Sequence, residues 1–103
     1  MKTLEEIRSQ LQDGEFEFTR HAFKRMIERN ISEAEIREVS VTMEVVEDYP
    51  DDKYSPSCLL LGFTLANRAL HLQVSMVSSD NVKIITIYEP DLTQWTDYRR
   101  RKT

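Results

Sequence analysis

ALHLQVSMVSSDNVKIITIYE, residues 69–89, is the stretch on which the reading of this chain turns. It holds two runs of branched and aromatic residues separated by the polar break Ser78–Asn81, which is the pattern of two antiparallel strands joined by a short turn. A turn at Ser79-Asp80, or over the four residues Ser78 to Asn81, pairs Val77 with Val82, Gln73 with Thr86, and His71 with Tyr88 in either case. Side chains alternate along a strand, so Leu70, Leu72, Val74 and Met76 share a face with Ile85 and Ile87. His71, Gln73, Thr86 and Tyr88 gather on the other face. Upstream, Asn67-Arg68 reads as a two-residue turn placing Ala66 opposite Ala69 and Thr64 opposite His71, which adds Thr64 to the polar group.

Working outward, Met43–Tyr49 and Cys58–Ala66 are further strand candidates, separated by a polar loop bounded by Pro50 and Pro56. The N-terminal third is helical in pattern. Leu4, Ile7 and Leu11 are spaced by three and four, and Asp13-Gly14 is a fitting stop. After a short extended lead-in, Phe16–Phe18, Thr19 predicts an N-cap, with Phe18 and Phe23 placed as a hydrophobic staple, for a second helix over 20–29. Ser32 and Glu35 form a capping box for a third helix ending near Val39, with Ile31 and Ile36 repeating the staple. Pro90 closes the last strand, and Asp91 predicts the cap of a short final helix carrying Trp95, whose indole reads as a packing lid.

These elements predict an α+β fold in which N-terminal helices pack on one face of a twisted, four- to five-stranded antiparallel sheet. The polar face is then left as a shallow open surface. With 103 residues and 40% hydrophobic content, the chain fits a single domain over residues 1–103. Cys58 is the only cysteine, so no intramolecular disulfide can form, as suits a reducing, cytoplasmic compartment. No run approaches the length of a membrane span, and the charged N-terminus lacks the apolar core of a secretory signal.

The formal net charge of −4 argues at first against a nucleic-acid partner. Its distribution argues otherwise. Glu44, Glu47, Asp48, Asp51 and Asp52 crowd one stretch, while Arg20, Lys24, Arg25 and Arg29 sit on one helix and Arg99 to Lys102 form a basic tail. On the second helix His21, Arg25 and Arg29 are spaced by four, a positive ridge beside the apolar stripe of Ala22, Phe23, Met26 and Ile27.

Those residues match the needs of metal-free RNA cleavage: a base for the 2′-hydroxyl, an acid for the leaving 5′-oxygen, and cations for the charged phosphorane. His21 and His71 are the two imidazoles and fill the acid and base roles. Arg25 is the phosphate clamp, and Tyr88 orients His71 or donates a proton. Thr86 and Gln73 hydrogen-bond the phosphate or a base edge, and Arg29 and the C-terminal arginines, Arg99 to Arg101, track neighbouring phosphates. Taken singly, each has an ordinary structural role as surface histidine, strand former or solvated charge. Convergence on one face is what gives them weight together. No histidine–carboxylate or CxxC spacing is present, so neither a metal nor a cofactor is expected. Cys58, inside the apolar run CLLLGF, has no cationic neighbour to make it a nucleophile.

FTRHAFKRMIERNIS (18–32), VVEDYP (45–50), PSCLLLGF (56–63), LHLQVS (70–75) and IITIYEPDLTQW (84–95) resemble, in order and spacing, a widespread bacterial and cyanobacterial family known as a domain of unknown function. Its pattern runs T-x-H-A-x-x-R-M-x-x-R-x-I, then L-H, then T-x-Y-x-P-D and W, and the likeness covers nearly the whole chain. That family is similar to the RelE/barnase-like group of small ribonuclease folds, with genes often beside antitoxin genes. The resemblance implies a toxin-type endoribonuclease acting on mRNA, free or on the ribosome, leaving a 2′,3′-cyclic phosphate, with a cognate antitoxin as protein partner. His21, Arg25, Arg29, His71, Thr86 and Tyr88 occupy the motif positions. The competing reading is a non-catalytic interaction domain, or an inactive regulator on a toxin fold, docking a basic partner through Glu47–Asp52. Oligomeric state is left open by either.

Overall fold

The structure, a computed structural model, describes residues 1–102. Helix α1, Leu4–Gln12, starts at a capping box in which the Thr3 hydroxyl accepts from the Glu6 N–H and the Glu6 carboxylate accepts from the Thr3 N–H. Strand β1, Phe16–Phe18, leads to the Thr19 N-cap of α2, Arg20–Glu28, where the Phe18 and Phe23 rings meet at 6.2 Å. Helix α3, Glu33–Val39, opens at the Ser32/Glu35 capping box with Ile31 and Ile36 both buried. A 3-10 turn, Ser40–Thr42, passes the chain to β2, Glu44–Tyr49, then to β3, Ser57–Phe63, β4, Ala69–Ser75, and β5, Val82–Tyr88.

The five strands form one sheet in the order β1-β5-β4-β3-β2, antiparallel except for β1, which runs parallel to β5. All three helices pack on one face. Their Ile7, Leu11, Ala22, Met26, Ile36 and Val39 interdigitate with Leu60, Leu70, Leu72, Val74, Ile84 and Ile87, the apolar alternates of the central strands. The architecture is the predicted α+β class.

Two details of register differ from expectation, each for an identifiable reason. The β3–β4 connection is a five-residue loop, Thr64 to Arg68, and pairs His71 with Leu61 instead of Thr64. Arg68 cannot stand in a tight turn because its guanidinium donates to the carbonyls of Arg29 and Asn30 and pairs with Glu35 and Glu89. The sheet face bearing His71 consequently carries Leu59 and Leu61, both buried, and not Thr64.

Along β4–β5 the pairs His71–Tyr88 and Gln73–Thr86 form as expected, but a bulge beyond Gln73 then sets Val74 opposite Ile84. Ile84 therefore enters the core in place of Ile85, and Val77 lies beyond the end of β4. Thr19 catches two successive carbonyls at the bulge, its N–H donating to Ile84 and its hydroxyl to Ile85. In a regular strand those carbonyls would point opposite ways, so a bulge is needed to bring both to one side.

After Pro90 the chain makes one turn and no more, with the Asp91 carboxylate accepting from the Thr93 N–H and hydroxyl. It then forms a small hairpin, β6 at Trp95–Thr96 and β7 at Arg100–Arg101. This hairpin replaces the expected closing helix. It lies over the sheet face opposite the helices, which is accordingly covered around His71 and open only to either side of it.

Candidate functional site

The site is built where β4 and β5 meet the C-terminal hairpin. His71 projects from β4 away from Leu70 and Leu72, and no part of its surface is exposed. Trp95 packs on it edge to face at 4.5 Å, and Tyr88 across the strand pair at 5.2 Å. Trp95 is thus the lid its sequence context predicts.

The imidazole is tied at both ends: Nε2 lies 2.7 Å from the Tyr98 carbonyl and Nδ1 lies 3.1 Å from the Tyr88 hydroxyl. A carbonyl only accepts, so Nε2 carries the hydrogen. Burial pushes the His71 pKa down, outweighing the Tyr98 carbonyl and the Glu47 carboxylate, and the ring is neutral near neutral pH. A neutral imidazole with hydrogen on Nε2 has its lone pair on Nδ1, which makes Tyr88 the donor. The chain of bonds has one direction, from the Tyr88 hydroxyl through His71 to the Tyr98 carbonyl.

That last partner is held in an unusual way. Asp97 and Tyr98 both have positive φ, 54° and 62°, in a turn closed by the Arg99 N–H on the Thr96 carbonyl. A left-handed tyrosine costs about 1–3 kcal/mol. The contacts offset it: the Tyr98 ring meets Phe63 edge-on at 5.8 Å while its carbonyl takes the imidazole.

Ion pairs pin the hairpin to the acidic strand. Arg99 pairs with Glu44 at 2.7 Å, and Arg101 with Glu47 at 3.0 Å while its guanidinium lies 4.6 Å over the Trp95 ring. Burial alone would raise the Glu47 carboxyl, but hydrogen bonds from Arg101 and Tyr49 hold it below the usual carboxylate range. Tyr49, desolvated and bonded to Glu47, is pushed up to about 12 and keeps its proton. Two of the acidic residues that stand out in the sequence are therefore spent on the chain's own basic tail.

Tyr88 is half-buried and stands between two depressions in this face. One, about 450 Å³, has Arg29, Arg68, Glu89, Asp91, Gln94 and Trp95 in its wall. The other, about 310 Å³, is lined by Tyr49, Asp52, Leu59, Gln73, Thr86 and Arg101. Burial raises the Tyr88 pKa, with Arg101 and Arg29 pulling the other way. Arg29, at the C-cap of α2, donates to the Ile87 carbonyl at 2.9 Å and places its guanidinium 5.9 Å from the Tyr88 ring. It has no carboxylate partner among the described residues.

The structure thus brings together Arg29, His71, Gln73, Thr86 and Tyr88. It does not bring the other two predicted residues to them. His21 is exposed on α2, which packs on the opposite sheet face, at the end of the helix that meets Ile84 and Ile85. With a rise of 1.5 Å per residue it lies about 12 Å along the helix from Arg29. Arg25 pairs with Glu28 at 3.0 Å on the same helix. The shared spacing of four runs the three basic residues along the axis, and the last of them alone reaches the far side.

Arg101 joins the site as one of the C-terminal arginines expected to follow phosphates, and Tyr49 and Asp52 join it without having been singled out for it. The one signal in the sequence is complementarity between the acidic stretch 44–52 and the basic tail 99–102. Cys58 is buried, its thiol pushed up to about 11 by burial and Asp48, and its Sγ lies 3.3 Å from the Met76 sulfur. Among the described residues, no group of three or more His, Cys, Asp or Glu is disposed to hold a metal, and no helix is long and apolar enough to cross a membrane.

No curated protein and no solved structure matches the chain. The model of a family described as a domain of unknown function, DUF4258, matches residues 18–89, a span holding α2, α3 and the four long strands, and the chain belongs to that family.

Proposed function

We infer that this protein is a metal-independent endoribonuclease whose centre is Tyr88. One observation carries the reading: the Tyr88 hydroxyl donates to the buried, neutral His71 on a ridge between two depressions, each with an arginine in its wall. A phenol in that position has its remaining lone pairs free for a substrate. A ribose 2′-hydroxyl seated against it gives its proton to the phenol oxygen as the phenol passes its own to Nδ1. The 2′-oxygen then bonds to phosphorus, the bond from phosphorus to the 5′-oxygen breaks, that oxygen takes a proton from water, and the hydroxide left recovers the proton held on His71 by way of Tyr88. The products are a 2′,3′-cyclic phosphate and a 5′-hydroxyl end.

His71 is a positioning residue in this scheme, since it touches substrate only through Tyr88; it holds the transferred proton on Nδ1, while the Tyr98 carbonyl on Nε2–H and the Glu47 charge favour the cation so formed. Arg29 and Arg101 flank the centre and offset the charge that grows on the phosphorane. His21 and Arg25 have no part in it. The RelE/barnase-like likeness, an mRNA substrate and an antitoxin partner belong to the same proposal, and the sequence motifs support them.

Incubation with RNA in EDTA tests it. Cleavage leaving cyclic phosphate ends, reduced about 10²–10⁴-fold by Tyr88→Phe, is the expected result. For His71→Gln the expected result is a displaced pH profile as well as a lower rate. No cleavage by the parent protein, or equal cleavage by the parent and Tyr88→Phe, overturns the reading.

A further inference from the structure

The smaller depression beside Tyr88 carries the Thr86 hydroxyl and the Arg101 guanidinium on its β5 and hairpin sides, and Asp52 and Gln73 along the remaining polar edge. Gln73 donates its amide nitrogen to the Ser57 hydroxyl at 3.0 Å and to Asp52 Oδ1 at 3.5 Å. A carboxylate accepts only, so the nitrogen must be on that side, and the Gln73 carbonyl oxygen is the atom without a partner. Asp52 is oriented by the Tyr54 N–H, which donates to Oδ2 at 3.0 Å. Its Oδ1 meets only the long Gln73 contact and has lone pairs to spare. Two acceptors, one in the loop between β2 and β3 and one on β4, therefore lack good donors.

The walls are of a different character. Leu59 is 2% exposed and apolar, and Tyr49 lines the pocket with its hydroxyl committed to Glu47. With Tyr88 on the other side, a flat ring would find two aromatic neighbours and an apolar one. Arg101 commits Nε to Glu47 and keeps its terminal nitrogens. The cavity, about 310 Å³, asks for a planar ligand with neighbouring N–H donors along one edge and with acceptors or a phosphate toward the cation.

Among the nucleobases, guanine alone answers that description. Its Watson–Crick edge offers an N–H and an amino group side by side, with carbonyl and ring-nitrogen acceptors elsewhere on the base. Adenine and cytosine set a lone pair beside their amino group, and uracil sets one N–H between two carbonyls, so each would point an acceptor at Asp52 or Gln73. An acceptor set against another acceptor displaces the water each had and gains no bond in return. Single-stranded RNA is read through just such stacked, edge-bonded bases.

We propose that the pocket between Tyr49 and Tyr88 is a nucleobase subsite that selects guanine through Asp52 and Gln73. The proposal rests on the ribonuclease reading for its biological setting, and its test does not need catalysis. The four ribonucleoside 3′-monophosphates are titrated into the full-length protein, followed by side-chain amide NMR shifts of Gln73 and fluorescence of Trp95, the only tryptophan. The guanosine compound should bind about tenfold more tightly than the other three, the discrimination a bidentate pair supplies. Asp52→Asn, which turns an acceptor into a donor at unchanged size, should abolish that preference and leave binding of the other three in place.

Equal binding of all four, binding of none, or a guanine preference that survives Asp52→Asn overturns the proposal. The two readings fail separately. RNA cleavage in EDTA without base preference, together with flat nucleotide binding, removes the subsite and leaves the nuclease; guanine-selective binding with no cleavage does the reverse.

Discussion

The two faces of the central sheet are closed by different physics, although the same strands supply both. Toward the helices, Leu70, Leu72 and Val74 of β4 meet Ile7, Leu11 and Ile36 in contacts that have no preferred direction. Toward the hairpin, the residue between Leu70 and Leu72 is His71, held by two aimed hydrogen bonds and two aromatic edge contacts. Helix burial spreads its stabilisation over many side chains. The hairpin instead hangs on His71, Trp95 and two arginine–glutamate pairs. Alternation along one strand thus supplies undirected apolar packing on one side and directed polar bonds on the other.

The comparison breaks first on the helix side. Leu72→Ala, at a residue 1% exposed, should cost about 2–5 kcal/mol, read as a lower midpoint in urea unfolding. Gly62→Ala should cost about 1–3 kcal/mol, because an added methyl would fall against the Val39 backbone carbonyl and 2.6 Å from the Val39 Cβ. Equal stability of either variant with the parent would mean that the helices do not press on the sheet as described.

The hairpin side is tested by His71→Phe, which keeps a flat ring and removes both bonds. We expect a loss of about 1–3 kcal/mol and faster amide exchange confined to residues 95–101. The same residue sets a pH window. Its native pKa lies below the ordinary value of about 6.5, so between the two the unfolded chain binds a proton that the native chain refuses. The His71 contribution is complete above that ordinary value and is lost as pH falls below it toward the native pKa. Urea midpoints measured at several pH values should decline there in the parent and decline less in His71→Phe. The carboxylates Glu35 and Glu47, both lowered in the native state, lose their contributions further down, as pH falls below their ordinary value of about 4.5 toward their native pKa values.

Smaller effects sharpen the contrast. Arg101→Ala should change stability by about 0.2–1 kcal/mol, since the guanidinium half of its pair with Glu47 is 60% exposed. It should nevertheless lower the slope of log affinity for RNA against log salt by about one, as expected of a cation on a phosphate. His21→Ala, at an exposed position on the other face, should stay within about 0.5 kcal/mol of the parent and should cleave RNA equally well. Loss of cleavage there would move the centre to the helix and overturn the present assignment of Tyr88.

Much of this was legible in the residues because it is local. Thr3, Thr19 and Ser32 are caps that act within a few positions, and the His71–Tyr88 and Gln73–Thr86 pairs follow from alternation across one short turn. What lies far apart in sequence was settled only in three dimensions. Arg68 is claimed by carbonyls of Arg29 and Asn30, which lengthens its loop and exchanges Thr64 for Leu61 beside His71. Thr19 catches β5 and bends its register, so that Ile84 goes inward. Trp95, Tyr98 and Arg101 fold back over a strand more than twenty residues earlier, turning an expected open histidine into a buried one bonded to its tyrosine neighbour. Periodicity and capping report on bonds made within one turn or one strand pair, and these belong to the sequence. Which distant groups compete for a given carbonyl or cover a given ring depends on how the packed layers meet, and that the tertiary structure alone decided.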